Sequence, residues 1–286
     1  MSHKAAVLSG KTKKKLSKFL KYTLCIIIAV LMLSPFYWMI STSLKEYSKV
    51  LLFPPQWWPN PIVWQNYIDL FRMQPYVKYM WNSIYIATLV TSGVIIFAST
   101  AGYAFAKIKF KGSTFLFLII LSGMMMPVEI TTLPLFIVLS KLGLADSHFP
   151  LIIPQIFGYC GAFGVFLMRQ FFITIPDELI EAGKLDGCSQ PRIFVKIMLP
   201  MSKAIIATLV IFTFLQNWNE FFLPLIYLSS SKLYTIPLAV SLFTTENGVQ
   251  WHLVMAAAAV STVPVLILFF FAQKKFMASL SMSGIK

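Results

Sequence analysis

The sequence predicts an all-α polytopic membrane protein of six transmembrane helices with both termini in the cytoplasm. Three observations carry the prediction. Of the 286 residues, 58% are hydrophobic and only 12% charged, with a mean hydropathy of +0.76, whereas a soluble globular domain carries about 25% charged residues. Six apolar runs are each long enough to cross a bilayer, which takes about 20 helical residues. Lys and Arg also fall unevenly between the runs: alternate segments hold eighteen of the 24 and the others six. The richer side is cytoplasmic by the positive-inside bias.

The six runs are 22–41, 83–106, 114–139, 149–168, 204–228 and 253–272. They define a basic cytoplasmic segment at 1–21, a transmembrane region over 22–276 and a cytoplasmic tail at 277–286. Outer loops lie at 44–81 and 229–251, and a long cytoplasmic loop lies at 169–200. The first run resembles a signal peptide, because seven lysines precede it. It continues through Pro35 and Trp38 without a small-residue cleavage site, so an uncleaved anchor is expected.

Other classes are excluded in turn. The net charge of +14 would suit nucleic acid only if the cations shared one exposed face, and here they flank apolar runs. No nucleic-acid partner is expected, and the lipid bilayer is the first partner. Cys25, Cys160 and Cys188 form no Cys-x-x-Cys pair, which leaves no disulfide or metal site. Gly10, Lys11 and Thr12 mimic the end of a phosphate-binding loop, but Ala5 stands where that loop requires glycine. No cofactor is therefore expected on this chain. An intramembrane hydrolase is set aside too, since His3, His148 and His252 lie at or beyond the ends of the runs, with no H-E-x-x-H.

The first outer loop is dense in Trp57, Trp58, Trp64, Tyr67, Tyr76, Tyr79 and Trp81 and punctuated by Pro54, Pro55, Pro59 and Pro61. An interfacial aromatic belt with rigid turns is the expectation. In the last outer loop the apolar stretch 236–243 is too short to span and reads as a re-entrant or surface helix.

Polar groups interrupt two of the runs. Glu129 lies about 15 residues, or about 22 Å of helix, above the cytoplasmic start of its run, and Gln216, Asn217, Asn219 and Glu220 lie about as high in theirs. Intramembrane carboxylates face a bundle interior or a watery cavity, so Glu129, Asn217, Asn219 and Glu220 are the candidate pathway residues. The alternative for the amides is hydrogen bonding that joins helices. Pro127, Pro134, Pro224 and Pro264 are expected to kink the same zone. One rival function follows from the carboxylates alone: an ion-coupled secondary transporter in which Glu129 and Glu220 relay protons.

The loop at 169–200 holds four of the ten acidic residues, Asp177, Glu178, Glu181 and Asp186, and reads as two short helices joined at Gly187. Pro176 suits a first helical position, with Asp177 and Glu178 in the turn where the helix dipole favours negative charge. Ser189 and Pro191 start the second helix, and Pro200 is expected to end it. Leu179, Ile180, Ala182, Gly183 and Leu185 are assigned to one apolar, small-residue face that requires a partner.

Glu181, Ala182, Gly187, Ile197, Leu199 and Pro200 match the spacing E-A-A-x3-G-x9-I-x-L-P, with Gly183 in place of the second alanine. This segment resembles the EAA loop of the membrane subunits of ATP-binding-cassette importers. The stretch LKEYSKVLLFPPQWWPNPIVWQNYIDLF and the NWNEF segment resemble the carbohydrate, maltose-type group of that family, and the likeness runs from about residue 35 to 276. The resemblance implies a permease subunit that is not itself an enzyme. It implies pairing with a second homologous permease, an ATPase dimer that carries the ATP and Mg2+, and an extracytoplasmic sugar-binding protein that delivers a sugar or oligosaccharide. It assigns the ATPase-coupling role to Glu181, Ala182, Gly183, Asp186 and Gly187. It also assigns the binding-protein contact to the loop tip, Phe243, Thr244, Thr245, Glu246, Asn247 and Gly248, and the location to the cytoplasmic membrane.

Overall fold

The computed structural model describes residues 2–245 and 248–283; side chains are described from residue 15 to 244 and, near the C-terminus, over 248–271 and at 273. Glu246 and Asn247 of the expected loop tip, and the side chain of Thr245, lie outside them. The chain is helical almost throughout, in the order α1 (Ser2–Ser43), α2 (Gln65–Met73), α3 (Tyr76–Lys107), α4 (Ser113–Met125), α5 (Val128–Lys141), α6 (Phe149–Phe157), α7 (Tyr159–Ile173) and α8 (Glu178–Leu185). There follow α9 (Gln190–Ile193), α10 (Leu199–Met201), α11 (Lys203–Trp218), α12 (Phe222–Tyr227), α13 (Ile236–Ser241) and α14 (Trp251–Ser283), with a ribbon of β1 (Thr244–Thr245) and β2 (Gly248–Val249). Among the described residues, four helices are long and apolar enough to cross a membrane, or up to six if each of two bent pairs is one span.

Two of the candidate spans are bent pairs, the first broken at one of the prolines expected to kink. The run at 114–139 is α4 and α5, bent by 97° at Met126 and Pro127, because proline has no N–H to carry the helix ladder across. The straight-helix height of Glu129 therefore does not apply, for Glu129 stands in the first turn after the bend. The run at 204–228 is shorter than expected: α11 stops at Trp218, and α12 restarts at Phe222. Pro200 ends its helix to within one residue, as expected. The helix from Gln190 to Met201 runs one residue past it and bends by 77° at Ser202. The residues Phe194–Met198 just before it are π-helical, and the wider turn relieves the clash between a proline ring and the preceding carbonyls.

Two compact units are distinguishable, one of Met1–Leu70 with Thr245–Val260, the other of Phe71–Thr244 with Ser261–Lys286. In the first unit the C-terminal end of α1 is tied to the following loop. Tyr37 and Ser41 donate to the Trp57 carbonyl at 2.9 and 2.6 Å, and Asn66 donates to the carbonyls of Ser43 and Lys45, both at 2.8 Å. Lys45 lies 4.0 Å above the Trp38 ring, a cation–π contact that offsets part of its desolvation; burial still lowers its pKa. Trp57, Trp58 and Trp64 remain about two-thirds exposed, whereas Tyr76 and Tyr79 of the expected belt are buried.

In the second unit α3 is the central element and packs chiefly against α7, α11 and α6. The close approach rests on small residues. A Cβ at Gly102 would stand 2.7 Å from Met168 Cβ, and one at Gly164 would stand 2.7 Å from Ala98 Cβ, so the helices meet nearly backbone to backbone. Val90, Val94, Ala98, Val165, Met168 and Leu209 fill the seam with no exposure.

At the other end of α3, His148 joins three segments. Its Nδ1 pairs with the Tyr85 hydroxyl and its Nε2 with the Leu233 carbonyl at 2.7 Å. A carbonyl only accepts, so Nε2 carries the hydrogen and Nδ1 accepts from Tyr85 in the neutral ring. Burial lowers the His148 pKa, and Lys78 adds to the lowering, against the Leu233 bond, which raises it. A lowered folded-state pKa means that the unfolded chain binds the proton more readily. Stability from this clamp is therefore present above the ordinary histidine value and is lost as pH falls below about 6.5. Thermal melts of the purified complex are expected to fall more steeply between pH 7 and 5 in the native protein than in His148→Gln.

Candidate functional site

The candidates of the 169–200 loop lie on a hairpin of helices whose inner seam is closed by its own residues. Ile180 and Gly183 of α8 turn inward and are buried, and a Cβ at Gly183 would meet Ile197 Cδ1 at 3.1 Å and Ile193 Cγ1 at 3.2 Å. This corrects the single apolar face expected from the sequence: Gly183 faces the second helix of the loop, not outward. Ala182, Glu181, Leu179 and Leu185 remain on the outside, with Leu185 89% exposed.

Gly187 ends α8 in the left-handed region at φ +75°. Its N–H bonds to the Lys184 carbonyl at 3.0 Å, and the Cys188 N–H to the Gly183 carbonyl at 2.9 Å, which is a Schellman closure with Asp186 at the C-cap. Two substitutions separate the roles of the glycines. Gly187→Ala is expected to cost about 1 kcal/mol locally and to leave assembly intact. Gly183→Trp is expected to pry α8 from Ile193 and Ile197, read as protease cleavage within 178–200 at concentrations that leave the native loop whole.

The structure adds residues that the sequence reading did not single out. Lys107, in the last turn of α3, donates to the Asp177 carboxylate and to the Ile175 carbonyl, both at 2.5 Å. The Tyr103 hydroxyl reaches Gln190 Oε1 at 2.6 Å. The end of α3 thus holds both helices of the loop. The Lys107 bond and charge hold the Asp177 carboxyl below the usual carboxylate range, so this link weakens as pH falls through that depressed value. Asp177 acts as an ion-pair partner and makes no side-chain cap. Only a lysine at the end of a span could have hinted at the contact, and lysines flank several of the runs. Beside it a groove of about 770 Å3 is lined by Lys107, Lys109, Lys111, Lys184, Asp177 and Glu181, among others.

At the far end of the unit the pathway candidates divide. Asn217, Glu220, Gln155 and Thr235 line one small cavity of about 10 Å3. Glu129 is exposed and lines neither that cavity nor its larger neighbour of about 270 Å3, so the structure does not bring the two carboxylates together. Asn219 is exposed, its amide bonded to the Leu215 carbonyl at 2.9 Å. Glu220 Oε1 accepts from the Leu223 N–H at 3.0 Å and so closes the first turn of α12.

The loop at 229–251 is seated on α3. Asn82 donates to the Lys232 and Tyr234 carbonyls at 3.1 and 2.9 Å, and Ser83 accepts from the Ile236 N–H at 2.9 Å. The apolar stretch is the short helix α13, with Ile236, Leu238 and Ala239 buried. Phe243 is 2% exposed, which corrects its assignment to the contact tip: its ring is buried as an apolar anchor for the loop. Thr244 and Gly248 are exposed, and Gly248 has φ +111°.

Among the described residues the chain thus has four to six candidate spans and a two-helix loop clasped by the end of a central helix. Residues 95–281 match the family of binding-protein-dependent transport system inner membrane components. The arabinooligosaccharides transport system permease protein AraQ of Halalkalibacterium halodurans is 34% identical over 247 residues, 86% of each chain. Its counterpart in Bacillus subtilis is 32% identical over 262 residues, 91% of this chain and 92% of the relative. The sn-glycerol-3-phosphate transport system permease protein UgpE of Yersinia pestis is 30% identical, with 91% and 94% covered. A solved bacterial ABC transporter involved in the import of the acidic polysaccharide alginate superposes with a TM-score of 0.77 over 92% of this chain and 97% of that one, at 22% identity; this is a likeness of fold. The chain belongs to the binding-protein-dependent transport inner membrane component family and is a multi-pass permease subunit of such a system. The carboxylate-relay carrier suggested by Glu129 and Glu220 is set aside by that membership.

Proposed function

We propose that the chain is one of two permeases in an ATP-driven importer of a sugar or oligosaccharide in the cytoplasmic membrane. It spans six times, over 22–276, with α4–α5 and the Gln190–Trp218 pair each counted as one bent crossing. The Lys and Arg bias supports placing both termini and the 169–200 loop in the cytoplasm. The observation that carries the reading is the coupling helix α8: its inner face is closed on Ile193 and Ile197, and its outer face leaves Glu181, Ala182 and Leu185 bare.

In operation the partner ATPase dimer binds ATP and Mg2+ and receives that outer face. When the dimer closes, α8 moves as a lever, and the Lys107 and Tyr103 contacts pass the movement directly to α3. Glu181, Ala182, Gly183, Asp186 and Gly187 form or shape the coupling element. Glu129, Asn217, Asn219 and Glu220 belong to the pathway side, completed by the second permease. Thr244, Thr245, Glu246, Asn247 and Gly248 form the tip presented to the extracytoplasmic binding protein. The carbohydrate assignment leans on the two arabinooligosaccharide relatives, which are more similar than the glycerol-phosphate one.

The test is reconstitution in liposomes. Uptake of a candidate oligosaccharide is expected only with the second permease, the ATPase, the binding protein and ATP together. Concentrative uptake by this chain alone under an imposed proton gradient would overturn the proposal.

A further inference from the structure

The cavity at the α11–α12 break is lined by four polar side chains, Gln155, Asn217, Glu220 and Thr235, against Ile86, Leu151, Leu223 and Pro224. Its volume, about 10 Å3, is of the order of one water-sized probe sphere. Thr235 is 5% exposed, and its hydroxyl has no hydrogen-bond partner in the chain. A buried hydroxyl is rarely left so unless an ordered molecule completes it.

The hydrogen-bonding capacity left over by the other three groups is complementary to one molecule. Asn217 Nδ2 is spent on the Thr213 carbonyl at 2.8 Å and the Cys160 Sγ at 3.8 Å, which leaves Oδ1 as an acceptor. Gln155 Oε1 receives the Cys160 S–H at 3.6 Å, which leaves Nε2 as a donor. Glu220 Oε1 is engaged by the Leu223 N–H, which leaves Oε2. The cavity therefore offers two acceptors, one donor, and a hydroxyl that serves as the second donor.

We propose that this cavity is a binding site for a single ordered water, which donates to Asn217 and Glu220 and accepts from Gln155 and Thr235. A sodium ion fits worse, because the Gln155 amide would aim its N–H at the cation. The water would join α6, the break after α11 and the residue that starts α13. Glu220 is then held from two sides, by the α12 backbone and by the water, and the break flexes about a hydrated joint. The inference depends neither on the solute carried nor on ATPase docking.

The test is a cryo-electron-microscopy map of the assembled transporter at a resolution that shows buried waters. A peak at hydrogen-bonding distance from all four side chains is expected. The peak is expected to persist in Thr235→Ser and to vanish or weaken severalfold in Thr235→Val. An empty cavity in a map that shows other buried waters would overturn the proposal. So would a peak ringed by oxygens alone with the Gln155 amide reversed, the sign of a sodium ion. If the valine variant does not assemble, the native map and the serine variant still decide.

Discussion

Replacing Leu185 with aspartate is expected to detach the ATPase while the permease pair stays assembled in the membrane. Leu185 is 89% exposed at the end of α8, so the change removes nothing from the fold of this chain. In the complex it would place an unpaired charge where an apolar anchor enters a cleft, and truncating such an anchor costs about 2 kcal/mol or more. That is a roughly 30-fold weaker association. Glu181→Lys, on the same outer side, is expected to act in the same direction by charge reversal. Co-elution of the ATPase with the purified permease pair, and substrate-stimulated ATP hydrolysis, read both effects. Native values in both variants would remove the coupling role from α8.

The second large effect is expected at Gly164. A Cβ there already falls 2.7 Å from Ala98 Cβ and 3.1 Å from Val94 Cγ1, and both partners sit on α3 with no exposure. Gly164→Leu must push α7 off α3, an overpacking cost of about 3 kcal/mol. Expression in the membrane is expected to fall several-fold, with a lower melting temperature for whatever assembles. Gly123, where an added Cβ meets nothing within 4 Å, is the control: Gly123→Ala is expected to leave both unchanged.

How far the sequence went can be seen at these same residues. The apolar runs and the E-A-G-x3-G spacing were enough to find an all-α chain of several candidate spans and the two-helix loop, because each is a local pattern in composition or spacing. The left-handed Gly187 was readable for the same reason, since a glycine after a helix is a local signal. Which side of α8 is free was not readable. Gly183 and Ala182 are both small and adjacent, and only the position of Ile193 and Ile197, set by a packing across the hairpin, sends one inward and leaves the other out. The kink at Pro127 was legible from the proline itself, but its size of 97° and the bend at Ser202 were not, because an apolar run looks the same whether or not it is continuous. Phe243 shows the same limit: an aromatic ring next to a loop tip is an anchor or a contact depending on the helix beneath it.

The outer face of α8, and not its inner seam, is expected to meet the ATPase. Photo-crosslinking residues placed one at a time at Ala182, Gly183 and Leu185 in the assembled transporter test it most directly. Adducts with the ATPase are expected from positions 182 and 185, with adducts from 183 confined to this chain or absent. Efficient ATPase adducts from 183 with none from 182 and 185 would contradict the account.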